Sequence, residues 1–127
     1  MSLLILIHKT KAEDARNTSI RLFEQLKDQC QWQTYVRSDG QFIDVGPSVT
    51  IVFRSGEDPA IVAGLRPDYY YSDNVIVADW IARGTSKFGG KQICEIDQVL
   101  TIILSYIMAG KWVDEFLVTT KNKGEIT

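Results

Sequence analysis

Residues with charged or reactive side chains gather at the ends of apolar runs. Lys9 follows the run 3–7 together with His8 and Thr10, Arg54 and Ser55 follow 49–53, and Asp73 follows the tyrosines 69–71 and Ser72. In an open α/β sheet a ligand binds in the crevice beyond the carboxyl ends of the strands, so these groups are expected to meet there. Arg66 and Lys91, the latter preceded by Gly89 and Gly90, are placed to fold over the same edge. Guanidinium and ammonium groups beside helix N-termini and Gly-exposed amides suit a phosphate or a carboxylate. The predicted ligand set is therefore Lys9, Arg54, Ser55, Arg66, Asp73 and Lys91, for a nucleotide-like anion. A second reading stays open beside it: the loops of any domain are polar, with or without a ligand.

Other candidates have structural readings. His8 is the only histidine and has no neighbouring acid or serine at a fixed spacing that would mark it as a base, so it reads as a partly buried structural residue. Asp68 and Asp73 bracket Tyr69, Tyr70 and Tyr71; at the two ends of a strand they lie more than about 10 Å apart, which suits a turn and a helix cap better than a metal. The tyrosines themselves read as core packing with one exposed ring. Gly89-Gly90-Lys91 lacks the G-x-x-x-x-G-K-[ST] spacing of a phosphate loop. Cys30 and Cys94 show no metal or redox spacing and are expected to be buried thiols. No nucleophile, base and orienting group can be assembled, so no catalytic residue, cofactor or metal is predicted.

Periodicity shows which strands and helices would carry these groups. Residues 3–7, Leu-Leu-Ile-Leu-Ile, form the unbroken apolar run of a strand covered on both faces, expected at the centre of a largely parallel sheet. Ala15, Ser19, Leu22, Phe23, Leu26 and Cys30 recur at helical spacing over 12–29. Runs 32–37 and 41–45 are joined by Ser38-Asp39-Gly40, where Asp-Gly favours a tight hairpin. Residues 49–53 and 68–71 are further strands, Asp58-Pro59 starts a helical turn closed by Gly64, and Ser72 or Asp73 caps a helix ended by Gly84. Residues 85–91 read as a loop, Ile96 to Ile107 as an amphipathic helix, 112–119 as a closing strand and 121–127 as a mobile tail. This predicts a small three-layer α/β fold, with a mostly parallel sheet, one hairpin and about three helices, over residues 1–120.

Composition bounds the function classes. The 127 residues include 45% apolar and 24% charged positions, enough for a core without metals or disulfides. A net charge of −2, with both signs interspersed, provides no basic field for nucleic acid or an anionic membrane. Residues 3–7 are too short for a signal sequence, and the longest uncharged stretch, 98–110, falls well below the ~20 residues that span a bilayer. A cytoplasmic protein is expected.

The stretch Ser48-Val49-Thr50-Ile51-Val52-Phe53-Arg54-Ser55-Gly56-Glu57-Asp58-Pro59, continuing through Gly64-Leu65-Arg66-Pro67-Asp68-Tyr69-Tyr70-Tyr71-Ser72-Asp73, resembles part of the ATPase core of phage large terminase subunits. In that family a strand of the type I-x-F-x-S leads through G-L-R-P-D to the Walker B strand, after a strand, helix and hairpin in the order seen here. The resemblance covers residues 3–73. It departs from the family pattern in three ways: no Walker A loop precedes this region, Ser72-Asp73 replaces the Walker B acidic pair, and no nuclease-like acidic cluster follows. Without the phosphate cradle and its lysine, nucleotide hydrolysis lacks its main charge stabilisation. The resemblance implies a small phage or prophage protein with a degenerate P-loop-like fold and no ATPase activity.

Two functions are expected from these features: a non-catalytic accessory protein that binds a protein partner or itself, or a small module holding a nucleotide-like anion. The last helix points to the first. Beside its core face it offers Gln98, Thr101, Ile102, Ser105, Tyr106 and Met108, none of them charged, whereas the outer face of a solvated helix is normally charged. Either the segment 112–118 covers it or a partner does, and a homodimer or higher homo-oligomer with Ile102, Tyr106 and Met108 near the contact is the expected arrangement.

Overall fold

The computed structural model describes residues 2–30, 32–85 and 89–108. Strand β1 (Leu3–Lys9) lies between two parallel partners, β4 (Val49–Ser55) and β5 (Tyr69–Ser72). The hairpin β2 (Thr34–Arg37) and β3 (Phe42–Val45) continues the sheet antiparallel beyond β4, and β6 (Lys91–Gln92) adds a short parallel edge beside β5. The order β2-β3-β4-β1-β5-β6 makes a mixed six-stranded sheet.

Period-two alternation sorts the strand residues onto two faces. Leu3, Ile5, Ile7, Val49, Ile51, Phe53, Ile43 and Val45 share one core with Leu22 and Leu26 of α1 (Ala12–Gln29) and with Val99 and Ile103 of α3 (Gln98–Tyr106). Leu6, Val52 and Tyr70 point the other way, onto Val62 of the 3₁₀ turn Pro59–Val62 and onto Val77 and Ile81 of α2 (Val75–Thr85). The result is the predicted three layers. Each fully buried Leu or Ile contributes about 1.5–3 kcal/mol, which is why the apolar run of β1 dominates the packing.

Local signals explain most element ends. Glu13 and Asp14 in the first turn of α1 and Lys27 in its last complement the helix dipole. Asp58 caps the 3₁₀ turn by accepting the Ala60 amide at 2.9 Å. The hairpin turns through the four residues between Arg37 and Phe42, of which Ser38 (φ 52°), Asp39 (φ 55°) and Gly40 (φ 90°) all have positive φ.

Several expectations need correction. Helix α2 is capped by Asn74, whose Oδ1 accepts the amides of Ile76 (2.9 Å) and Val77 (3.1 Å), and not by Ser72 or Asp73. Cys94 is exposed, although Cys30 is buried as expected and its thiol is pushed up by that burial. No tyrosine of β5 is an exposed ring: Tyr70 is buried, and Tyr69 and Tyr71 are half-buried against the α1/α3 core. Residues 91–92 are a strand and not loop, because the Lys91 amide reaches Asp68 O (3.0 Å) and the Ile93 amide reaches Tyr70 O (2.7 Å). Gly90 makes this close approach possible. A Cβ there would stand 2.6 Å from Thr85 Cβ and 2.8 Å from Pro67 O. The predicted strand 112–119 and tail 121–127 lie outside the described residues. Among the described residues, no helix is long and apolar enough to cross a membrane.

On the open side of the hairpin, Asp44 accepts hydrogen bonds from Arg37 and, at 3.0 Å, from Thr50 Oγ1. The Arg37 bond above all holds the Asp44 carboxyl below its usual range, against the opposing effect of partial burial. A depressed folded-state value means that the contribution is complete above the unfolded carboxylate pKa, near about 4, and is lost as pH falls through the lower folded value. Both side chains are partly solvated, so Asp44→Asn should cost under about 1 kcal/mol at neutral pH. The cost should shrink toward zero in acid. Urea unfolding of both proteins at neutral pH and at the lowest pH where both remain folded checks this; an undiminished difference in acid contradicts it.

Candidate functional site

The carboxyl edge of the parallel strands is held together by its own polar groups. His8, at the end of β1, is completely buried and stands between the two neighbouring strand ends. Its Nε2 lies 2.8 Å from Gly56 O, a group that can only accept, so Nε2 carries the proton. Nδ1 lies 2.8 Å from the Ser72 hydroxyl, which also lies 3.0 Å from Asn74 O and has one proton for the two. Gly56 (φ 128°) turns its carbonyl toward the ring, and its amide returns to Thr10 O at 3.0 Å. His8 is thus a structural residue, as expected, but wholly rather than partly buried.

A serine oxygen 2.8 Å from an imidazole nitrogen has the spacing of a nucleophile and its base. Here the oxygen also accepts the Asn74 amide at 3.0 Å, and the Asp73 amide is bound to His8 O at 3.3 Å. The amides of Asp73 and Asn74 are therefore already engaged, and the pair links the ends of β1 and β5. Asp73 works alongside it. Its Oδ1 accepts both the Thr10 amide (2.9 Å) and the Thr10 hydroxyl (2.8 Å), fixing the short turn between β1 and α1.

The six residues proposed as one ligand set do not converge. Arg54 and Ser55 line a cavity of about 310 Å³ between the end of β4 and the first turns of α1, where Arg16 and Asp39 join them. The Arg54 guanidinium sits 5.5 Å from the Phe42 ring and its Nη1 donates to Phe53 O at 3.2 Å. Lys9 pairs in register with Ser55 but stacks on Tyr71, 5.1 Å from the ring centre. Asp73 lines a different hollow, with Ser72, Asp79 and Gln92. Lys91 opens onto the opposite edge of the sheet, near Asp68 and Tyr106, and Arg66 belongs to the loop that enters β5 at that same edge. The reason is strand direction: Lys91 is in register with Tyr69, the first residue of β5, and not with its last. Arg16 was missed because on α1 it looks like any solvated helix position. Among the described residues, no group of three or more His, Cys, Asp or Glu could hold a metal ion.

The apolar surface also falls elsewhere than expected. Ile102 and Tyr106 are half-buried against the α1/α3 core, and burial chiefly, with Asp68 second, raises the Tyr106 phenol; only Met108 of the predicted trio is exposed. Among the described residues, Ile20 of α1 and Tyr35 and Val36 of β2 are exposed, and α2 has an open apolar face as well. Val75 is 85% exposed, Ile76 70% and Trp80 47%. Its signal was present in the sequence: Val77 and Ile81 occupy one side of the helix, so Val75, Ile76 and Trp80 must occupy the other.

His8→Ala should remove the bridge between the half-buried Gly56 carbonyl and Ser72 and cost about 1–3 kcal/mol of stability, while Asp73→Ala, at a more exposed site, should cost about 1 kcal/mol. Denaturant titration of both variants measures this, and a His8→Ala protein as stable as the parent would show that the bridge is not structural.

No protein-family model matches the chain, and no curated protein matches it. Solved structures do. The large terminase from a thermophilic bacteriophage, in a crystal form in complex with ADP, is similar with a TM-score of 0.56 at 12% identity, over 72% of this chain and 25% of that one. A second crystal form of the same terminase gives a TM-score of 0.56 at 11% identity, again over 72% of this chain and 25% of that one. This chain thus spans about a quarter of the terminase it matches. The likeness is one of fold: the α/β architecture here is similar to that of part of a phage large terminase, as the stretch from Ser48 to Asp73 implied.

Proposed function

We propose that this chain is a non-catalytic accessory protein of phage or prophage type that acts by binding another protein surface. The exposed face of α2 carries the reading. A helix on a solvated surface normally turns charge outward, whereas α2 turns out Val75, Ile76 and Trp80 with one charged pair, Asp79 and Arg83. The carboxyl edge supports the non-catalytic part, since its histidine, serine and aspartate are all engaged in joining strands. The terminase-like fold supports a phage-type origin.

A second reading has one observation in its favour, the cavity where Arg16, Arg54 and Ser55 meet. It would take a small anion of the phosphate or carboxylate class, and it replaces the six-residue set with these three.

If α2 displays its apolar face for binding, those side chains contribute little to the fold. Val75→Ser and Ile76→Ser should each change folding stability by less than about 1 kcal/mol. A loss of several kcal/mol in thermal or denaturant unfolding would make the face structural and remove the reading. Purified protein should release no phosphate from ATP above background; turnover abolished by Asp73→Ala overturns the non-catalytic assignment. For the second reading, a nucleotide or phosphate that raises the melting temperature should lose that effect in Arg54→Ala. An unchanged shift in the variant places the ligand elsewhere.

A further inference from the structure

The outer face of α2 has a pattern that specifies its partner. Ile76, Trp80 and Gly84 follow one another at intervals of four and so form a single ridge along the exposed side, large, large, then absent. Gly84 lies in the last turn of the helix, and a Cβ built on it meets nothing within 4 Å, so the space beside it is open. Beside that ridge runs a second, Val75, Asp79 and Arg83, in which Asp79 accepts from Arg83 Nε at 3.1 Å.

Resting on the protein-binding reading above, we propose that the partner is a second copy of this chain, with the two α2 helices packed antiparallel across a two-fold axis at Trp80. That axis maps the first ridge onto itself. Ile76 of each copy then lies over Gly84 of the other, where the missing side chain leaves the space an isoleucine needs, and the two Trp80 side chains meet at the centre. Antiparallel register also sets Arg83 of one copy about two residues, or ~3 Å along the axis, from Asp79 of the other, within reach of an arginine side chain. The patch is thus self-complementary in shape and in charge, the requirement of a two-fold interface. A contact between two helices this short belongs to the small, transient class of interfaces, so association is expected in the range of about 10–100 µM.

Sedimentation equilibrium of the full chain from about 5 µM to about 500 µM tests this. The mass should rise from 14.4 kDa toward twice that value. Ile76→Glu and Gly84→Leu should each keep the protein monomeric throughout. Gly84→Leu is the stricter variant, because a Cβ there meets nothing within 4 Å, and an unchanged unfolding midpoint in this variant separates a lost dimer from a lost fold. Asp79→Arg and Arg83→Asp should each be monomeric alone yet dimerise when mixed, a result that the pair within one helix cannot produce. A wild-type chain that stays monomeric overturns the self-association but leaves the protein-binding reading to a different partner. A dimer indifferent to all four substitutions places the contact on another surface and removes the support that α2 gives to both.

Discussion

Burial of β1 on both faces governs the arrangement of every other element. A strand of Leu3-Leu4-Ile5-Leu6-Ile7 cannot sit at an edge or face water on one side, so it requires a parallel neighbour on each flank and a helical layer above and below. Helices α1 and α3 supply one cover; α2 and the 3₁₀ turn supply the other. Each of the crossovers between β1, β4 and β5 is set by that demand, and the order β4-β1-β5 follows from it.

A strand so placed brings its carboxyl end between two neighbouring strand ends, and there His8 is the one fully buried polar residue. Its ring spans the gap between Gly56 and Ser72 with one nitrogen each, so both of its own polar atoms are partnered. At the more solvated margin Asp73 bonds Thr10. His8, Ser72, Asp73 and Thr10 at this edge are thus bonded to one another and to the neighbouring backbone.

The fold similarity to part of a phage terminase extends no further than architecture. Shared α/β topology supports many functions, and the function of each protein is set by the groups grafted on it. In this chain α2 turns Val75, Ile76 and Trp80 outward, an apolar face that is unusual for a solvated helix.

Elements whose pattern is local could be read from the chain alone. The apolar run of β1, the period of α1, the Asp39-Gly40 turn and the Asp58 cap were all legible, because each rests on spacing or on a side chain reaching its own backbone. The terminase-like order of strand, helix and hairpin was legible through the resemblance of the stretch from Ser48 to Asp73. Convergence of distant side chains depended instead on the assembled fold. Lys9, Arg54 and Asp73 share an edge with one another but not with Arg66 and Lys91, since strand direction and register, invisible in composition, carry the last two to the opposite side. The two residues of β6 are too few to show a period, and their pairing depends on Gly90 passing close to Pro67 and Thr85. The exposed face likewise moved from α3 to α2, because whether an uncharged helix face is covered depends on what the fold packs against it. The core between the sheet and α1 takes in Ile102 and Tyr106, while Val75, Ile76 and Trp80 stay open.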